Sequence, residues 1–173
     1  MRVNIETERL YIRNITADDY QAAFKWCGDP VVNTYMIYPL YKRAEDLLGW
    51  LGNIDRDAPD ECELVFVLKE SREVIGGGGM HYKKDRGAWG IGYNLCYDHW
   101  GHGYAKEAME AVIEYMRSIK EVKVVEISFC VDNHNSRRIA EKLGFTYYED
   151  TEYTKLDGSR VFPAKIYRRV YEE

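Results

Sequence analysis

The sequence predicts one domain of mixed α/β class, and three observations lead to that prediction. A chain of 173 residues, 46% hydrophobic and 31% charged, is typical of a single globular domain, which we expect to span residues 1–173. Residues 63–97 show the pattern of three strands joined by tight turns, which indicates an antiparallel meander. An amphipathic helix is predicted from Tyr104 to about Ile119, so a sheet and helices share the core.

The first third of the chain is predicted to hold one strand and two helices. Residues 8–16 alternate apolar and polar side chains, as a half-buried strand does. Thr16, followed by Ala, Asp and Asp, is typical of a capped helix start, and the helix should end near Cys27. A second helix is predicted near residues 43–54. Residues 54–63 are strongly acidic, which fits either a solvated turn or a surface that attracts a cationic substrate.

The rest of the chain is predicted to alternate strands with two helices. Residues 76–79 are four glycines, but neither a Gly-Lys-Ser/Thr sequence nor a helix follows, so we expect a bulged strand there rather than a phosphate loop. The expected strands of the meander are 63–69, 74–82 and 88–97. After the long helix we expect a strand at 122–131, a short helix at about 136–143 and two final strands.

Charge and cysteine usage exclude several classes of function. The net charge of −5 repels a polyanion, so a nucleic-acid partner is not expected. The apolar runs are far shorter than the roughly 18 residues of a membrane span, and no leader pattern opens the chain, so we expect a cytoplasmic protein without a membrane partner. No Cys-x-x-Cys pair or carboxylate-rich histidine pattern is present, so we expect no metal site.

The strongest functional signal lies in residues 100–105, Trp-Gly-His-Gly-Tyr-Ala, which we call the glycine turn. No Ser, Thr, Asp or Asn caps the long helix; instead Gly101 and Gly103 bring bare backbone N–H groups to its start. Such donors at the positive end of a helix dipole favour a bound pyrophosphate, with an ordinary tight turn as the alternative. The dinucleotide fingerprint fails because Lys106 occupies its last glycine position, and the Walker A pattern fails as well.

The glycine turn resembles motif A of the GNAT superfamily of acyl-CoA-dependent N-acyltransferases, Gln/Arg-x-x-Gly-x-Gly/Ala. Gly103 and Ala105 match that motif, and Trp100 replaces its usual Gln or Arg. Residues 100–108 closely resemble Trp-Gly-Lys-Gly-Tyr-Ala-Thr-Glu-Ala, the run of the RimJ/RimL-like branch. Residues 133–145 resemble the second motif of that branch, Asn-x-x-Ser followed by helical residues and Lys-Leu-Gly-Phe. The resemblance spans essentially the whole chain.

The resemblance implies the acyl-CoA N-acyltransferase fold, a mixed and mostly antiparallel sheet with helices on both faces. Two parallel strands, here 88–97 and 122–131, would splay apart around the pantetheine arm of acetyl-CoA, and its diphosphate would lie on residues 102–105. His102 stands where the branch usually has Lys, so its charge assistance would depend on protonation of the imidazole. The implied cofactor-binding residues are Leu95, Cys96, Tyr97, Gly101, His102, Gly103, Tyr104, Ala105, Asn133 and Ser136.

The reaction implied is direct attack of a primary amine on the thioester of acetyl-CoA in a ternary complex. The amine would be a protein N-terminal α-amine or a small-molecule amine, and the enzyme a monomer or homodimer without a metal. The resemblance assigns Ser136 as proton donor to the leaving thiolate, and helix N-capping is a compatible alternative role.

The general base is the weakest element of the resemblance, because the positions that usually supply it hold no acid in this chain. Glu152, after the second motif, is the expected base, with a solvated strand face as the alternative. The absent base leaves open a non-catalytic acyl-CoA-binding module, and the glycine turn alone leaves open a protein that binds ATP.

Overall fold

The structure, a computed structural model, describes residues 1–171 and is organised around one sheet. The strands are β1 (Asn4–Glu6), β2 (Leu10–Asn14), β3 (Glu61–Leu68), β4 (Val74–Lys83), β5 (Ala88–Leu95), β6 (Val124–Cys130), β7 (Thr146–Thr154) and β8 (Val161–Val170). The α-helices are α1 (Tyr20–Cys27), α2 (Leu48–Asn53), α3 (Tyr104–Ile119) and α4 (His134–Lys142). The strands take the order β1-β2-β3-β4-β5-β6-β8-β7 across the sheet.

The sheet is mixed because β5 and β6 run parallel while the other neighbouring strands run antiparallel. The parallel register is short, with residues 89–91 opposite residues 125–127. Beyond Ile91 and Ile127 the two strands no longer pair, so they separate towards their carboxyl ends. The predicted splayed pair is confirmed.

Helices cover both faces of this sheet, as predicted. On one face α3 buries a stripe at helical spacing, which packs with α4 against the strands; the stripe is Ala105, Ala108, Met109, Val112, Ile113 and Met116. On the other face Trp26 of α1 and Leu51 of α2 pack against Val65 of β3. Full burial of each large apolar side chain contributes about 1.5–3 kcal/mol. No helix within residues 1–171 combines the length and apolarity needed to cross a membrane.

The N-terminal elements differ from the prediction in their extent. β1 was not predicted, because three residues at a sheet edge are too few to show alternation. Both N-terminal helices are short, since each follows a 3₁₀ turn, at residues 17–19 and 44–47. The predicted capping pattern is confirmed: the Thr16 N–H donates to Asp19 Oδ2 at 2.8 Å.

The glycine run lies in β4, where the pairing with β3 shifts register between Phe66 and Val67. The expected bulged strand is therefore confirmed. A Cβ on Gly79 would lie 1.9 Å from the carbonyl oxygen of Cys62, closer than any side chain can approach backbone. Glycine is needed for this close strand packing, and it leaves part of the sheet surface without side chains.

Candidate active site

A cavity of about 860 Å³ opens where β5 and β6 separate. Its lining residues come from β3, β4, β5, β6 and β7, from α1 and α2 with the connector between them, and from the start of α4. Of the residues predicted for the site, Asn133 and Ser136 line the cavity directly. Leu95, Cys96 and Tyr97 follow Asn94, the last residue of β5 that lines it. The volume is in the range of small-molecule sites, roughly 300–1,000 Å³.

The glycine turn has the backbone geometry that the sequence predicted. Gly101 and Gly103 adopt left-handed conformations, with φ of 79° and 81°. No side chain caps α3, and the Glu107 N–H donates to the Gly103 carbonyl oxygen at 3.1 Å as the first bond of the helix. The N–H groups of residues 104–106 precede that bond and have no acceptor within the helix. The turn therefore presents a row of free donors at a helix N-terminus.

Arg9, which the sequence analysis did not single out, adds a cation to this turn. Its Nη1 donates to the His102 carbonyl oxygen at 2.9 Å, and its guanidinium lies 4.4 Å from the centroid of the Tyr104 ring. Glu107 fixes the side chain through a 2.6 Å contact between Oε2 and the Arg9 Nε. More than ninety positions separate Arg9 from the turn in the sequence, so no local motif could have joined them.

The Glu107 carboxylate is itself held in the charged form. Burial acts to raise its pKa, but hydrogen bonds from Thr7 and Arg9 outweigh that effect and lower the pKa below the ordinary value. The pair therefore keeps Arg9 oriented at the turn over the whole neutral range.

Trp100 links the glycine turn to the end of β5. Its indole Nε1 donates to the Leu95 carbonyl oxygen at 3.0 Å, and its ring packs edge-on to Tyr97 with centroids 5.1 Å apart. The replacement of Gln or Arg by Trp thus has a structural role, because it sets the position of the turn relative to the splayed strand.

The backbone groups of β5 alternate between β4 and the splay. The Cys96 N–H donates to the Ile75 carbonyl oxygen at 2.8 Å, so it faces β4. Because bonded pairs alternate along an antiparallel ladder, the N–H and C=O groups of Tyr93 and Leu95 face the splay instead. Of the predicted pantetheine contacts, Leu95 is therefore directed into the gap, whereas the Cys96 N–H is directed away from it.

Ser136 lies in the first turn of α4 beside Tyr93. The Tyr93 hydroxyl donates to Ser136 Oγ at 3.3 Å, and burial raises the pKa of Tyr93 to about 12, so its proton is retained at neutral pH. The capping alternative for Ser136 is wrong: Asn133 is the N-cap, with its Oδ1 accepting from the Ser136 N–H at 3.1 Å, and α4 begins at His134. The hydroxyl of Ser136 is consequently available to the cavity.

Glu152, the predicted base, is an exposed residue of β7 and does not line the cavity. Its neighbour Tyr153 lines the cavity instead, because successive side chains of a strand point to opposite faces. The Tyr153 hydroxyl donates to the Tyr35 carbonyl oxygen at 2.5 Å, which ties β7 to the connector between α1 and α2. The catalytic role of Glu152 stays a prediction.

The structure brings a different carboxylate, Glu63 of β3, to the cavity. Glu63 is an exposed residue at the edge of the cavity, where the walls remove part of the hydration of its carboxylate; this loss, together with the negative charge of Glu61, raises its pKa to about 7. The sequence analysis assigned Glu63 only to an acidic segment and a strand start. The signal that could have identified it is a charged residue on the same strand face as buried apolar neighbours.

No cluster of three or more His, Cys, Asp or Glu side chains that could hold a metal ion occurs within residues 1–171. The cysteines at positions 27, 62, 96 and 130 are buried and free.

Comparisons with known proteins agree with this geometry. The family model described as "Acetyltransferase (GNAT) domain" matches residues 9–146. An uncharacterized N-acetyltransferase, p20 of Bacillus licheniformis, is 29% identical over 143 residues, which cover 80% of each chain.

Two solved structures share the fold at low sequence identity. The self-immunity acetyltransferase MccE, in complex with acetyl-CoA and AMP, superposes with a TM-score of 0.82 at 18% identity, covering 95% of this chain and 94% of its own. The ribosomal α-N-protein acetyltransferase RimL, in complex with coenzyme A, superposes with a TM-score of 0.79 at 16% identity, covering 98% of each chain.

Proposed function

Because this chain belongs to the GNAT acetyltransferase family and is therefore an acetyl-CoA-dependent N-acetyltransferase, we propose that it transfers the acetyl group to a primary amine by direct attack in a ternary complex. The observation that carries the proposal is the uncapped glycine turn placed next to a splayed pair of parallel strands. The glycine turn supplies N–H donors for a diphosphate. The splayed strands supply a gap with unpaired backbone groups for the extended pantetheine arm.

We assign the diphosphate of acetyl-CoA to residues 102–105, where the free N–H groups and the helix dipole favour an anion. Arg9 supplies the positive charge at that position, which the branch usually obtains from a lysine in place of His102. The pantetheine amides would pair with the Leu95 N–H, since the Leu95 carbonyl oxygen already accepts from Trp100, with Tyr97 and Asn133 at the two ends of the gap, as an added strand pairs with a sheet edge.

Two protons must move in the proposed reaction, one from the attacking amine and one to the leaving thiolate. Ser136 is the proposed proton donor to the thiolate, and its contact with the protonated Tyr93 hydroxyl supports this role by giving it a route for a replacement proton. Presenting a lysine amine in neutral form at pH 7 costs roughly 4.6 kcal/mol, against about 1–1.4 kcal/mol for an α-amine.

The acceptor is either a protein N-terminal α-amine or a small-molecule amine. RimL is a ribosomal α-N-protein acetyltransferase, which supports a protein N-terminus as the acceptor. MccE holds AMP together with acetyl-CoA, which supports room for a small molecule beside the cofactor in this fold. The similarity of residues 100–108 to the RimJ/RimL-like run supports an α-amine for this chain.

Thiol release tests the proposed function. The purified protein is incubated with acetyl-CoA and, separately, with amino-acid amides, short peptides, α,ω-diamines and an aminosugar, and the free thiol of coenzyme A is measured. Amine-dependent release with an acetylated product supports the proposal. Binding of acetyl-CoA without turnover of any of these amines would favour the non-catalytic acyl-CoA-binding module instead.

A further inference from the structure

We propose that Glu63 binds the ammonium group of the acceptor and accepts its proton, an inference that rests on the proposed acetyl transfer. It assigns the general base to a strand that the resemblance does not point to, and it defines the acceptor as an amine that enters the cavity as a cation.

The strand register connects Glu63 with the splay through glycines. Glu63 lies opposite Gly79 of β4, and Gly79 lies opposite Gly92 of β5. Gly92 is the first residue of β5 beyond the parallel pairs, so it marks the point where the gap opens. The Cα of Glu63 is two strand spacings, about 10 Å, from that point, and no side chain stands between them. The Glu63 side chain spans about half of that distance, so an amine nitrogen held over the glycines lies between the carboxylate and the gap and can lose its proton to Glu63 directly or through one water.

The space above these glycines is open. A Cβ on Gly92 would have no atom within 4 Å, and Gly92 and Gly79 both line the cavity. The side chains of His81 and Lys83 cross the neighbouring position, Gly90, where a Cβ would lie 2.8 Å and 2.6 Å from their atoms. We call the open surface formed by Glu63, Gly79 and Gly92 the acceptor floor. His81 and Lys83 bound it on one side.

Glu63 lacks a cationic partner. Within residues 1–171 its carboxylate makes no hydrogen bond or ion pair, and its charged neighbour on the strand, Glu61, has the same sign. Lys83 is directed to the buried carboxylate of Glu126, 3.8 Å from its Nζ, and does not neutralise Glu63. An ammonium group supplies the missing positive charge. Aromatic side chains, including Tyr41 and Trp50, also line the cavity, and aromatic rings favour a bound cation.

The environment also suits Glu63 for proton transfer. Loss of hydration raises its pKa to about 7. A base whose pKa lies near the working pH is present in its deprotonated form and is still basic enough to accept a proton. No element packed around it offers a charge that reverses this shift. Glu61, two residues earlier on β3, is the charged neighbour that acts on Glu63. The other titratable groups that line the cavity are His81 and Lys83 on β4, Tyr93 on β5, Cys130 on β6, Cys27 on α1, Tyr35, Tyr38 and Tyr41 in the connector, and Tyr153 on β7.

The proton balance of the step is closed. The ammonium N–H bond breaks and an O–H bond forms on Glu63, which leaves a neutral amine. The neutral amine attacks the thioester carbon, an N–C bond forms and the C–S bond breaks. The nitrogen loses its second proton and the leaving thiolate gains one. Glu63 then releases its proton to water, so one acetyl amide, one thiol and one proton are formed from one ammonium ion and one thioester.

Steady-state kinetics of Glu63→Gln test the inference, with the best amine from the thiol-release panel as the probe. We expect kcat/KM for the amine to fall at least 30-fold at pH 7, while the dissociation constant of acetyl-CoA changes less than twofold. The wild-type rise of kcat/KM with pH around 7 should be lost in this variant and partly restored in Glu63→Asp. Glu61→Gln should move that rise to lower pH, because it removes the neighbouring negative charge.

Glu70→Gln, in the turn after β3, is the matched control, since it makes the same change in charge on an exposed residue outside the cavity. It should leave every parameter within twofold. Normal turnover and an unchanged pH profile in Glu63→Gln would overturn the inference and leave the proposed function intact. A wild type that neither binds acetyl-CoA nor releases thiol would overturn the proposed function itself, and the inference with it.

Discussion

The proposed cofactor site at the glycine turn and the proposed acceptor site in the cavity are built in different ways. The glycine turn is a contiguous segment, and its donors, its left-handed glycines and the start of α3 all lie within residues 100–107. The acceptor floor is made of Glu63, Gly79 and Gly92, which meet only through the register of three strands. A contiguous site can be recognised in the sequence as a motif. A site formed by strand register consists of single residues, which cannot be recognised as a site until the strand pairing is known.

The largest expected effect is a loss of affinity for acetyl-CoA when the glycine turn is altered. Gly103→Val should raise the dissociation constant of acetyl-CoA at least tenfold, about 1.4 kcal/mol or more, because a branched side chain disfavours the φ of 81° and blocks the row of donors. Isothermal titration calorimetry measures this change. Gly158→Val is the matched control, since Gly158 has a φ of 73° in the turn between β7 and β8. An equal loss of affinity in both variants would remove the turn from the cofactor site.

The second effect concerns the acceptor floor. Gly92→Leu should raise KM for the amine about tenfold, because its side chain enters open space on the floor instead of clashing with protein atoms. The affinity for acetyl-CoA should change less than threefold. Gly52→Leu in α2, also at a glycine with no atom near its Cβ position, is the control for the substitution itself. An unchanged KM in Gly92→Leu would show that the amine does not cross this floor.

The smallest effect is a pH-dependent stability of Glu63→Gln. The folded-state pKa of about 7 lies above the ordinary value of 4.5, so the folded protein holds the proton more tightly than the unfolded chain does. Below about pH 4.5 the Glu63 carboxyl group is protonated in the folded protein and does not lower the free energy of unfolding. As the pH rises to about 7, the charged carboxylate destabilises the folded state increasingly. A cost on the order of 1 kcal/mol, reduced by water in the cavity, corresponds to roughly 2–4 °C.

Thermal unfolding between pH 4.5 and pH 8 measures this difference. The melting temperature of Glu63→Gln should equal that of the wild type at the acidic end and exceed it at pH 8. A variant that is less stable than the wild type at pH 8 would mean that the charged carboxylate has a stabilising partner in the folded protein.

The sequence predicted the features that depend on local pattern. α3 spans Tyr104–Ile119, as its amphipathic pattern predicted, and the parallel pair was predicted because two motifs in order carried the resemblance. The predictions that failed or stayed incomplete depend on contacts between distant residues. Ser136 was a possible cap until the structure showed Asn133 in that role, and Arg9 gained its meaning only when β2 came to lie beside the turn. Glu63 carries no motif, because its neighbours are glycines on other strands.

The most direct test of the central claim, that the glycine turn and the splay bind acetyl-CoA, is thermal unfolding with acetyl-CoA, coenzyme A and ATP titrated separately. A ligand at a hundredfold its dissociation constant adds about 2.7 kcal/mol, which for a chain of this size raises the melting temperature by roughly 5–11 °C. We predict this shift with acetyl-CoA and with coenzyme A, and none with ATP. A shift with ATP alone, or no shift with any of the three, would contradict the account.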